Sequence, residues 1–315
     1  MELVHGLPQP INELPTILTI GVFDGVHRGH QHLLSLVARR ARDLGCQSAA
    51  LTFDPHPDLV IRPDTGRLYL TSLQERIDQI NALGLDLLIV LPFTREVMAQ
   101  SAADFMRRLC GAVALRELWA GPDLAVGHRR EGTLSRLAEI GHTLGYTVHP
   151  VEPYHQQGDQ VRSTRIRMAL EHGEADVAAE LLGRPFELRG IVVEGDKRGR
   201  TIGFPTANLA IDQHHLLPSN GVYVCSVELN GQRYGAVANI GVRPTFDGVA
   251  RRVEVYILDF NDDIYGETVR LSFLQRLRGE QKFDGITALV AQITQDVAAA
   301  RAFLAEQRDE IGGGI

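Results

Sequence analysis

The feature that most constrains the fold is a change in the spacing of apolar segments near residue 183. Before this point, short β-branched runs alternate with amphipathic runs of helical length; after it, strand-like runs follow one another until residue 286. Strand–helix alternation is typical of a parallel sheet covered by helices, whereas consecutive strands separated by turn residues are typical of an antiparallel barrel or sandwich. We therefore predict two domains, residues 1–182 and residues 183–315.

Five candidate strands and four candidate helices alternate in the first half. Leu33, Val37 and Ala41 recur at four-residue steps, so the first helix has one apolar stripe. A parallel sheet built from such units binds ligands at the carboxyl ends of its strands. The candidate strands are residues 16–23, 47–53, 86–93, 117–123 and 146–153. The candidate helices are residues 30–45, 72–84, 101–113 and 130–145, each closing near a glycine: Gly45, Gly84, Gly111 and Gly145.

The second half contains five strand-like segments bounded by clusters of Gly, Pro, Asn and Asp. These segments are residues 186–195, 221–229, 234–241, 251–260 and 268–277. A closing helix over residues 286–308 carries an apolar stripe: Leu289, Ile293, Val297, Ala300 and Leu304. We expect that stripe to pack on the outside of the barrel.

The composition narrows the class of protein. The chain has 39 acidic and 32 basic side chains, a formal net charge of −7, which argues against a nucleic-acid binder. It has no run of about 20 apolar residues, and its first fifteen residues lack the basic start and apolar core of a secretory signal. Its three cysteines are far apart in sequence. We expect a reduced cytoplasmic enzyme that binds small molecules, not nucleic acid or a membrane, and the sequence leaves its oligomeric state open.

The most informative motif is GVFDGVHRGHQHLL, residues 21–34. A strand runs into a glycine-bearing turn, and His27 and His30 fall at the start of a helix, where free N–H groups and the helix dipole favour anions. Gly29 allows a phosphate to approach the backbone closely. The motif therefore predicts a site for nucleotide phosphates, with both imidazoles donating hydrogen bonds. Two alternatives stay open: a solvated helix start with incidental histidines, and a metal site that adds Asp24.

Three further residues or pairs can belong to this region. The segment VRSTRIR places Ser163 and Thr164 at the start of a helix near Arg167, where they either cap the helix or help to hold pyrophosphate. Asp123 follows a strand of the same sheet and should lie at the same edge as the histidines, unless its segment is a simple loop. His56, between two prolines, is interpreted as a turn residue rather than a ligand contact.

The second half carries another candidate phosphate site in VVEGDKRGRTIGFPTANL, residues 192–209. Thr206 and Asn208 are two residues apart, so an extended chain puts both oxygens on one face. Hard oxygen donors beside a glycine-rich loop suit Mg²⁺ bound to nucleotide phosphates, while the alternative is a solvated charged loop. Glu254 alternates with valines in a later strand. It is either a solvent-facing carboxylate or the base that takes the proton of an attacking hydroxyl.

Eight motifs occur in the order in which one known family carries them: GVFDGVHRGH, TFDPHP, STRIR, GRTIGFPTANL, LPSNGVY, NIGVRPTF, VEVYILDF and LRGEQKF. On these motifs the chain resembles the prokaryotic bifunctional riboflavin kinase/FAD synthetase family, over about residues 16–297. The resemblance implies an α/β nucleotidyltransferase domain with a Rossmann-like parallel sheet, followed by an antiparallel β-barrel riboflavin kinase domain with a C-terminal helix. It also implies Mg²⁺, ATP as co-substrate, and riboflavin, FMN and FAD as substrates and products.

Two reactions are implied by the resemblance. Riboflavin is phosphorylated by ATP to FMN, and FMN is adenylylated to FAD with release of pyrophosphate. For adenylylation, the resemblance implies that His27 and His30 contact the ATP phosphates. The resemblance also implies Ser163, Thr164 and Arg167 in this site, and we place Gly29 on its ATP side and Asp123 on its flavin side from their positions in the chain.

For the kinase step, the resemblance implies that Glu254 is the base and that Thr206 and Asn208 bind Mg²⁺. It places flavin contacts in LRGEQKF. The flavin contacts are Arg278, Glu280 and Phe283, and the residues of the glycine-rich loop that we expect at the phosphates are Gly195, Lys197 and Arg200.

This chain departs from the family pattern at three positions, all in the first half. Arg162 stands where serine is usual, and Leu124 and Val126 stand where phenylalanines are common. These departures concern the flavin side of adenylylation. The alternative hypothesis is therefore a riboflavin kinase with an impaired or altered N-terminal adenylyltransferase domain. A hypothesis of another class is a flavin-binding protein without turnover.

Overall fold

The computed structural model describes residues 1–7, 14–62, 66, 68–195, 198–245 and 248–310. The chain forms two compact units, Met1–Ser163 and Thr164–Ile315. The domain boundary predicted from the sequence is later, at 182/183, because two helices between these positions group with the second unit. Which boundary separates independently folding pieces stays a prediction.

The first unit is built on six parallel strands: β1 (Glu2–His5), β2 (Thr16–Ile20), β3 (Gln47–Asp54), β4 (Leu87–Pro92), β5 (Leu115–Ala120) and β6 (Thr147–Pro150). They pair in the order β1-β4-β3-β2-β5-β6, so β2 and its turn lie inside the sheet. Five of the six strands overlap the predicted ones. The exception is β1, a four-residue edge strand with only one half-buried residue.

The helices of this unit are α1 (Arg28–Leu44), α2 (Pro57–Ile61), α3 (Leu73–Asn81), α4 (Arg95–Ala99), α5 (Ala102–Ala112) and α6 (Leu134–Leu144). A short hairpin of β7 (His155–Gln156) and β8 (Asp159–Gln160) follows β6. Gly45 and Gly145 end α1 and α6 with φ of 62° and 86°, as predicted. α5 also ends near its predicted glycine, since Gly111 is followed by the last helical residue, Ala112.

Successive residues of β2 pack into different cores because side chains alternate across a strand. Ile17 belongs to a cluster with Leu34 and Val37 of α1, whereas Leu18 belongs to a cluster on the other face with Phe105 of α5. Helices therefore cover both faces of the sheet. The predicted Rossmann-like architecture is confirmed.

The second unit begins in α7 (Ser163–His172), whose first residue belongs to the first unit, and continues through α8 (Ala175–Leu182). Its strands are β9 (Phe186–Val193), β10 (Ala207–Ala210), β11 (Gly221–Leu229), β12 (Gln232–Thr245), β13 (Gly248–Ile257) and β14 (Thr268–Arg278). They close into an antiparallel barrel in the order β10-β13-β12-β11-β14-β9. A single turn, α9 (Arg198–Thr201), precedes β10.

The last helix, α10 (Ile286–Glu310), packs against β11 and β12. Ala300 is fully buried there with Val222 and Val224 of β11, and Val297 and Leu304 pack beside it. The predicted barrel with a C-terminal helix on its outside is confirmed. Within the described ranges, no helix combines the length and the apolar character needed to cross a membrane.

Candidate functional sites

The first candidate site is at the start of α1, beyond the carboxyl end of β2. His27 is the N-cap of α1 and is 6 % exposed, and its Nδ1 accepts a hydrogen bond from the backbone N–H of His30 at 3.3 Å. An imidazole nitrogen that accepts a hydrogen bond carries no proton, so neutral His27 has its proton on Nε2. One nitrogen of His27 therefore caps the helix and the other is a donor.

The rings of His27 and His30 stack, with centroids 3.6 Å apart and planes inclined by 15°. Phe23 meets the His30 ring edge-on at 5.3 Å. Burial, together with the charges of His27 and Arg76, holds the pKa of His30 well below its ordinary value of 6.5. His30 is therefore neutral at pH 7, and its Nδ1 has no hydrogen-bond partner among the described residues. His30 can therefore act as a neutral hydrogen-bond donor toward a phosphate oxygen.

The metal alternative for this motif finds no support. Asp24 Oδ1 accepts hydrogen bonds from the backbone N–H groups of Leu70 at 2.9 Å and Thr71 at 3.2 Å. In the part of the chain that the structure describes, no three His, Cys, Asp or Glu side chains are grouped as metal ligands. Asp24 ties the turn after β2 to the segment before α3.

Buried polar side chains hold the turn between β2 and α1. Phe23 and Val26 have φ of 52° and 36°, values that non-glycine residues adopt rarely. The Arg76 guanidinium, in a residue that is 4 % exposed, donates to the carbonyl oxygen of Val22 at 2.6 Å and to Thr52 Oγ1 at 3.2 Å. Thr52 Oγ1 in turn donates to the same carbonyl at 3.0 Å. Arg76 was not predicted from the sequence, although it fixes the turn that carries the histidines.

Gly29 and Ser163 lie at the same turn. A Cβ on Gly29 would be 3.2 Å from the His27 ring and 3.5 Å from the carbonyl oxygen of Val161, so glycine keeps this approach open. Ser163 Oγ donates to the carbonyl oxygen of Asp24 at 3.0 Å. The first residue of α7 is thereby joined to the turn.

The other residues predicted for adenylylation are Asp123, Thr164 and Arg167. Asp123 lies beyond β5, which pairs with β2 in parallel, so it follows the same sheet edge as His27. Its side chain is 71 % exposed and forms an ion pair with Arg162 at 3.4 Å. Thr164 and Arg167 are in α7, within the second unit. The structure thus brings Asp123 together with one of the residues that depart from the family pattern.

The two remaining departures face the core. Val126 is 8 % exposed in the cluster beside α5, and Leu124 packs against the same cluster. His56 is the N-cap of α2, where its Nδ1 accepts a hydrogen bond from the N–H of Asp58 at 3.1 Å. This geometry agrees with the interpretation of His56 as a turn residue.

The second candidate site crosses three neighbouring strands of the barrel. Glu254 of β13 is opposite Asn208 of β10 on one side and opposite Asn239 of β12 on the other. Residues opposite one another in adjacent strands project from the same face of the sheet. Val253 and Val255 are each 1 % exposed, whereas Glu254 is half-buried, in agreement with the predicted alternation. The result is a row in which a carboxylate is flanked by two amides.

The glycine-rich loop packs directly against this row. A Cβ on Gly195 would overlap the side-chain amide of Asn208. A Cβ on Gly199 would overlap a carbonyl oxygen of the loop and lie 3.3 Å from Thr206 Oγ1. Thr206 is exposed and Asn208 is half-buried. Both glycines are required by the close approach of the loop to the two oxygen donors.

Of the two basic residues predicted for this loop, Arg200 is exposed in α9 and Lys197 lies outside the described residues. Their contacts with phosphates stay predictions. The same holds for the contact of Gly195 with a nucleotide.

The segment after β14 is anchored to α10. Arg278 forms a two-pronged ion pair with Asp296, with Nε–Oδ1 at 3.0 Å and Nη2–Oδ2 at 2.8 Å. The same guanidinium lies 5.7 Å from the ring centroid of Phe283. Glu280 accepts a hydrogen bond from Asn220 Nδ2 at 2.9 Å. Arg278, predicted to lie by the flavin, therefore also fixes the end of β14 to the last helix.

Glu280 connects this segment with the row of amides. A Cβ on Gly241 would lie 2.7 Å from Glu280 Oε1 and 3.5 Å from Asn239 Nδ2. Asn220 Oδ1 accepts a hydrogen bond from Arg251 Nε at 3.0 Å. Asn239 and Asn220 were not predicted as site residues. For Asn239, the sequence contained one signal: it is the single amide in the otherwise apolar strand segment AVANIG.

Comparison with known proteins gives consistent matches to both units. The FAD synthetase family model matches residues 10–165, and the riboflavin kinase family model matches residues 182–304. The bifunctional riboflavin kinase/FMN adenylyltransferases of Pseudomonas fluorescens and Listeria monocytogenes are 39 % and 38 % identical, covering 97 % and 94 % of this chain and 98 % and 95 % of their own lengths. The chain belongs to this family.

The family assignment confirms the resemblance inferred from the motifs, and the chain is an enzyme with a FAD synthetase domain and a riboflavin kinase domain. The hypothesis of an impaired first domain gains no support, because the FAD synthetase model matches nearly all of the first unit. A solved structure from Streptococcus pneumoniae, titled a macrolide-efflux protein, is 34 % identical with a TM-score of 0.87 and covers 95 % of this chain and 98 % of its own. It shares this fold.

Proposed function

We propose that this chain phosphorylates riboflavin beside Glu254 of the barrel and adenylylates FMN at the start of α1. The first reaction consumes ATP and yields FMN and ADP; the second yields FAD and pyrophosphate. The observation that supports the kinase site is the strand pairing that places Glu254 of β13 opposite Asn208 of β10 and opposite Asn239 of β12. The stacked histidines at a helix start support the adenylylation site.

The oxygen donors beside the glycine-rich loop fit a magnesium ion. The hydroxyl of Thr206 and the amide oxygen of Asn208 are hard ligands, and the loop that packs on them carries no side chain at Gly195 or Gly199. When bound, Mg²⁺ neutralises charge on the ATP phosphates. We assign Thr206 and Asn208 as its protein ligands in this site.

Glu254 is the general base of the kinase step. It accepts the proton of the terminal hydroxyl of riboflavin as that oxygen bonds to the γ-phosphorus of ATP and the bond to the ADP oxygen breaks. A positioned base contributes about 10²–10⁴-fold. The neighbouring amide of Asn239 is placed to orient the carboxylate. Glu280 and Phe283, beyond β14, contact the flavin, and Arg278 positions Phe283 from above its ring.

In adenylylation, an oxygen of the FMN phosphate bonds to the α-phosphorus of ATP and pyrophosphate leaves. His27 Nε2–H and His30 donate to phosphate oxygens, where negative charge accumulates in the transition state. The first N–H groups of α1 add to this field, and Gly29 lets the phosphates approach them. Ser163, Thr164 and Arg167 hold the pyrophosphate, and Asp123 contacts the flavin.

The assignment of Glu254 is tested with Glu254→Gln, which keeps the size of the side chain but cannot accept the proton. Protein is incubated with riboflavin, ATP and Mg²⁺, and riboflavin, FMN and FAD are separated by chromatography. We expect FMN formation to fall at least 10²-fold while FAD formation from added FMN is unchanged. The matched control is Glu228→Gln, another strand carboxylate of the barrel, which pairs with Arg270 at 3.8 Å. Retention of more than about a tenth of wild-type FMN formation would show that Glu254 is not the base.

A further inference from the structure

A concave surface that none of the assignments above uses runs along α1. Its volume is about 480 Å³, within the range of small-molecule sites. Side chains of α1 line it from Arg28 to Arg42, a length of about 21 Å at 1.5 Å per residue. Leu83 and Tyr154 close it from other segments of the first unit. We refer to this surface as the α1 groove.

The α1 groove is distinct from the adenylylation site. Arg39 follows His30 by nine residues, which is about two and a half turns of a helix. The two side chains therefore leave α1 on opposite sides. His30 packs against Phe23 near the sheet, whereas Arg39 is exposed. A ligand held by Arg39 and Arg42 therefore lies on the side of α1 opposite His30.

The charge of the groove is one-sided. Its lining includes Arg28, Arg39 and Arg42 and, within the described part of the chain, no acidic side chain. Arg39 and Arg42 are exposed, and within the described part of the chain neither guanidinium group has a hydrogen-bond or ion-pair partner. Like charges three residues apart on a helix repel each other. In a chain with a net charge of −7, this local excess of positive charge favours an anionic ligand.

Aromatic surface lies in the same groove. The rings of His32 and Tyr154 are 5.7 Å apart at the centroids and inclined by 42°. His32 precedes Arg39 by seven residues, about 10 Å along the helix. A molecule of nucleotide size spans that distance between its ring and its phosphates. The groove therefore combines a stacking surface with a pair of guanidinium groups at a matching separation.

We propose that the α1 groove binds a phosphorylated molecule with a planar ring, the ring beside Tyr154 and the phosphates on Arg39 and Arg42. An adenine nucleotide and FMN share this chemistry. Either ligand would occupy the groove in addition to the two reaction sites.

The test counts bound ligand per chain by equilibrium dialysis of the full-length protein, with ADP in one arm and FMN in the other. Wild type is compared with Arg39→Gln/Arg42→Gln. The control is Arg107→Gln/Arg108→Gln, which removes the same charge from exposed positions of α5. Formation of FMN and FAD at low substrate concentration verifies that each variant is folded, because none of these arginines belongs to the reaction sites.

We expect wild type and control to bind one more equivalent of ADP or of FMN than Arg39→Gln/Arg42→Gln, whose affinity for that equivalent falls at least tenfold. The arm that shows the difference identifies the ligand. Tyr154→Leu should weaken the same equivalent and no other. Equal stoichiometry and affinity of wild type and Arg39→Gln/Arg42→Gln in both arms would overturn the proposal.

Discussion

Replacing Arg76 by methionine is expected to slow FAD formation far more than FMN formation. The guanidinium donates one hydrogen bond to the turn, to the carbonyl oxygen of Val22 at 2.6 Å, and one to Thr52 Oγ1 of β3 at 3.2 Å; hydrogen bonds of charged groups contribute about 1.5–3 kcal/mol each. Methionine offsets part of this loss because it fills a similar volume and costs less free energy to bury than a charged guanidinium. The cost of burying the charge is visible in the pKa of Arg76, which burial lowers. The carbonyl of Val22 also keeps its bond from Thr52. We therefore expect a net loss of about 1–3 kcal/mol in the stability of the first unit.

The effect on activity follows from the position of the turn. Phe23 and Val26 hold unfavourable φ values only while their surroundings fix them, so the turn should relax when the clamp is lost. A shift of about 1 Å in positioning groups can cost 10²-fold in rate, and we expect a loss of that order in FAD formation from FMN. FMN formation from riboflavin should stay within about twofold, since the kinase residues belong to the barrel.

Three measurements together distinguish positioning from simple destabilisation. Trp119 is the one tryptophan in the sequence, so its fluorescence follows unfolding of the first unit. Chromatography gives the two rates. Nuclear magnetic resonance gives the pKa of His30, which should rise towards 6.5 because the charge of Arg76 helps to lower it. Arg107→Met, at an exposed arginine of α5, is the control. An unchanged rate of FAD formation, or an unchanged pKa of His30, would refute the reasoning.

Three further outcomes are expected. His30→Ala should reduce FAD formation from FMN by about one to two decades and leave FMN formation unchanged, since one charge-assisted hydrogen bond contributes about 1.5–3 kcal/mol; equal loss of both rates in the chromatographic assay would contradict this. Folding lowers the pKa of His30, so the contribution of His30 to stability is complete above about pH 6.5 and decreases as the pH falls below that value. Unfolding followed by Trp119 fluorescence should therefore depend less on pH in His30→Gln than in wild type, and an identical pH dependence of the two proteins would refute this prediction. Arg278→Met leaves the mostly buried Asp296 with the hydrogen bond from Gln292 but without its ion-pair partner, and should destabilise the barrel by about 3 kcal/mol in circular dichroism melts, with FAD formation from FMN retained; an unchanged melting temperature would rule out the anchoring role.

Elements governed by local pattern were predictable. The predicted bounds of α1, residues 30–45, differ from the observed ones by one or two residues. They came from the apolar stripe of Leu33, Val37 and Ala41 and from the stop at Gly45, and both signals depend only on neighbouring residues. The histidine motif could likewise be placed at a helix start. In contrast, β10 was not predicted as a strand, because its four residues follow Pro205 and are fixed by pairing with β9 and β13.

Roles that depend on distant contacts could not be predicted. Arg76 occupies the apolar side of α3 with Ile80, which was a signal, but its partner at Val22 is 54 residues away. Asn239 gains its significance only from the register that places it beside Glu254. Arg278 was assigned to the flavin from its motif, while its ion pair with Asp296 depends on how α10 packs on the barrel.

The central claim is that one chain contains two chemically independent sites, and a mixing assay tests it most directly. Glu254→Gln should make FMN at least 10²-fold more slowly than wild type, and His30→Ala should make FMN but little FAD. An equimolar mixture of the two variants, given riboflavin, ATP and Mg²⁺, should accumulate FAD, because FMN released by one variant is adenylylated by the other. A mixture that makes no more FAD than either variant alone, although added FMN is adenylylated by Glu254→Gln, would contradict free exchange between two independent sites.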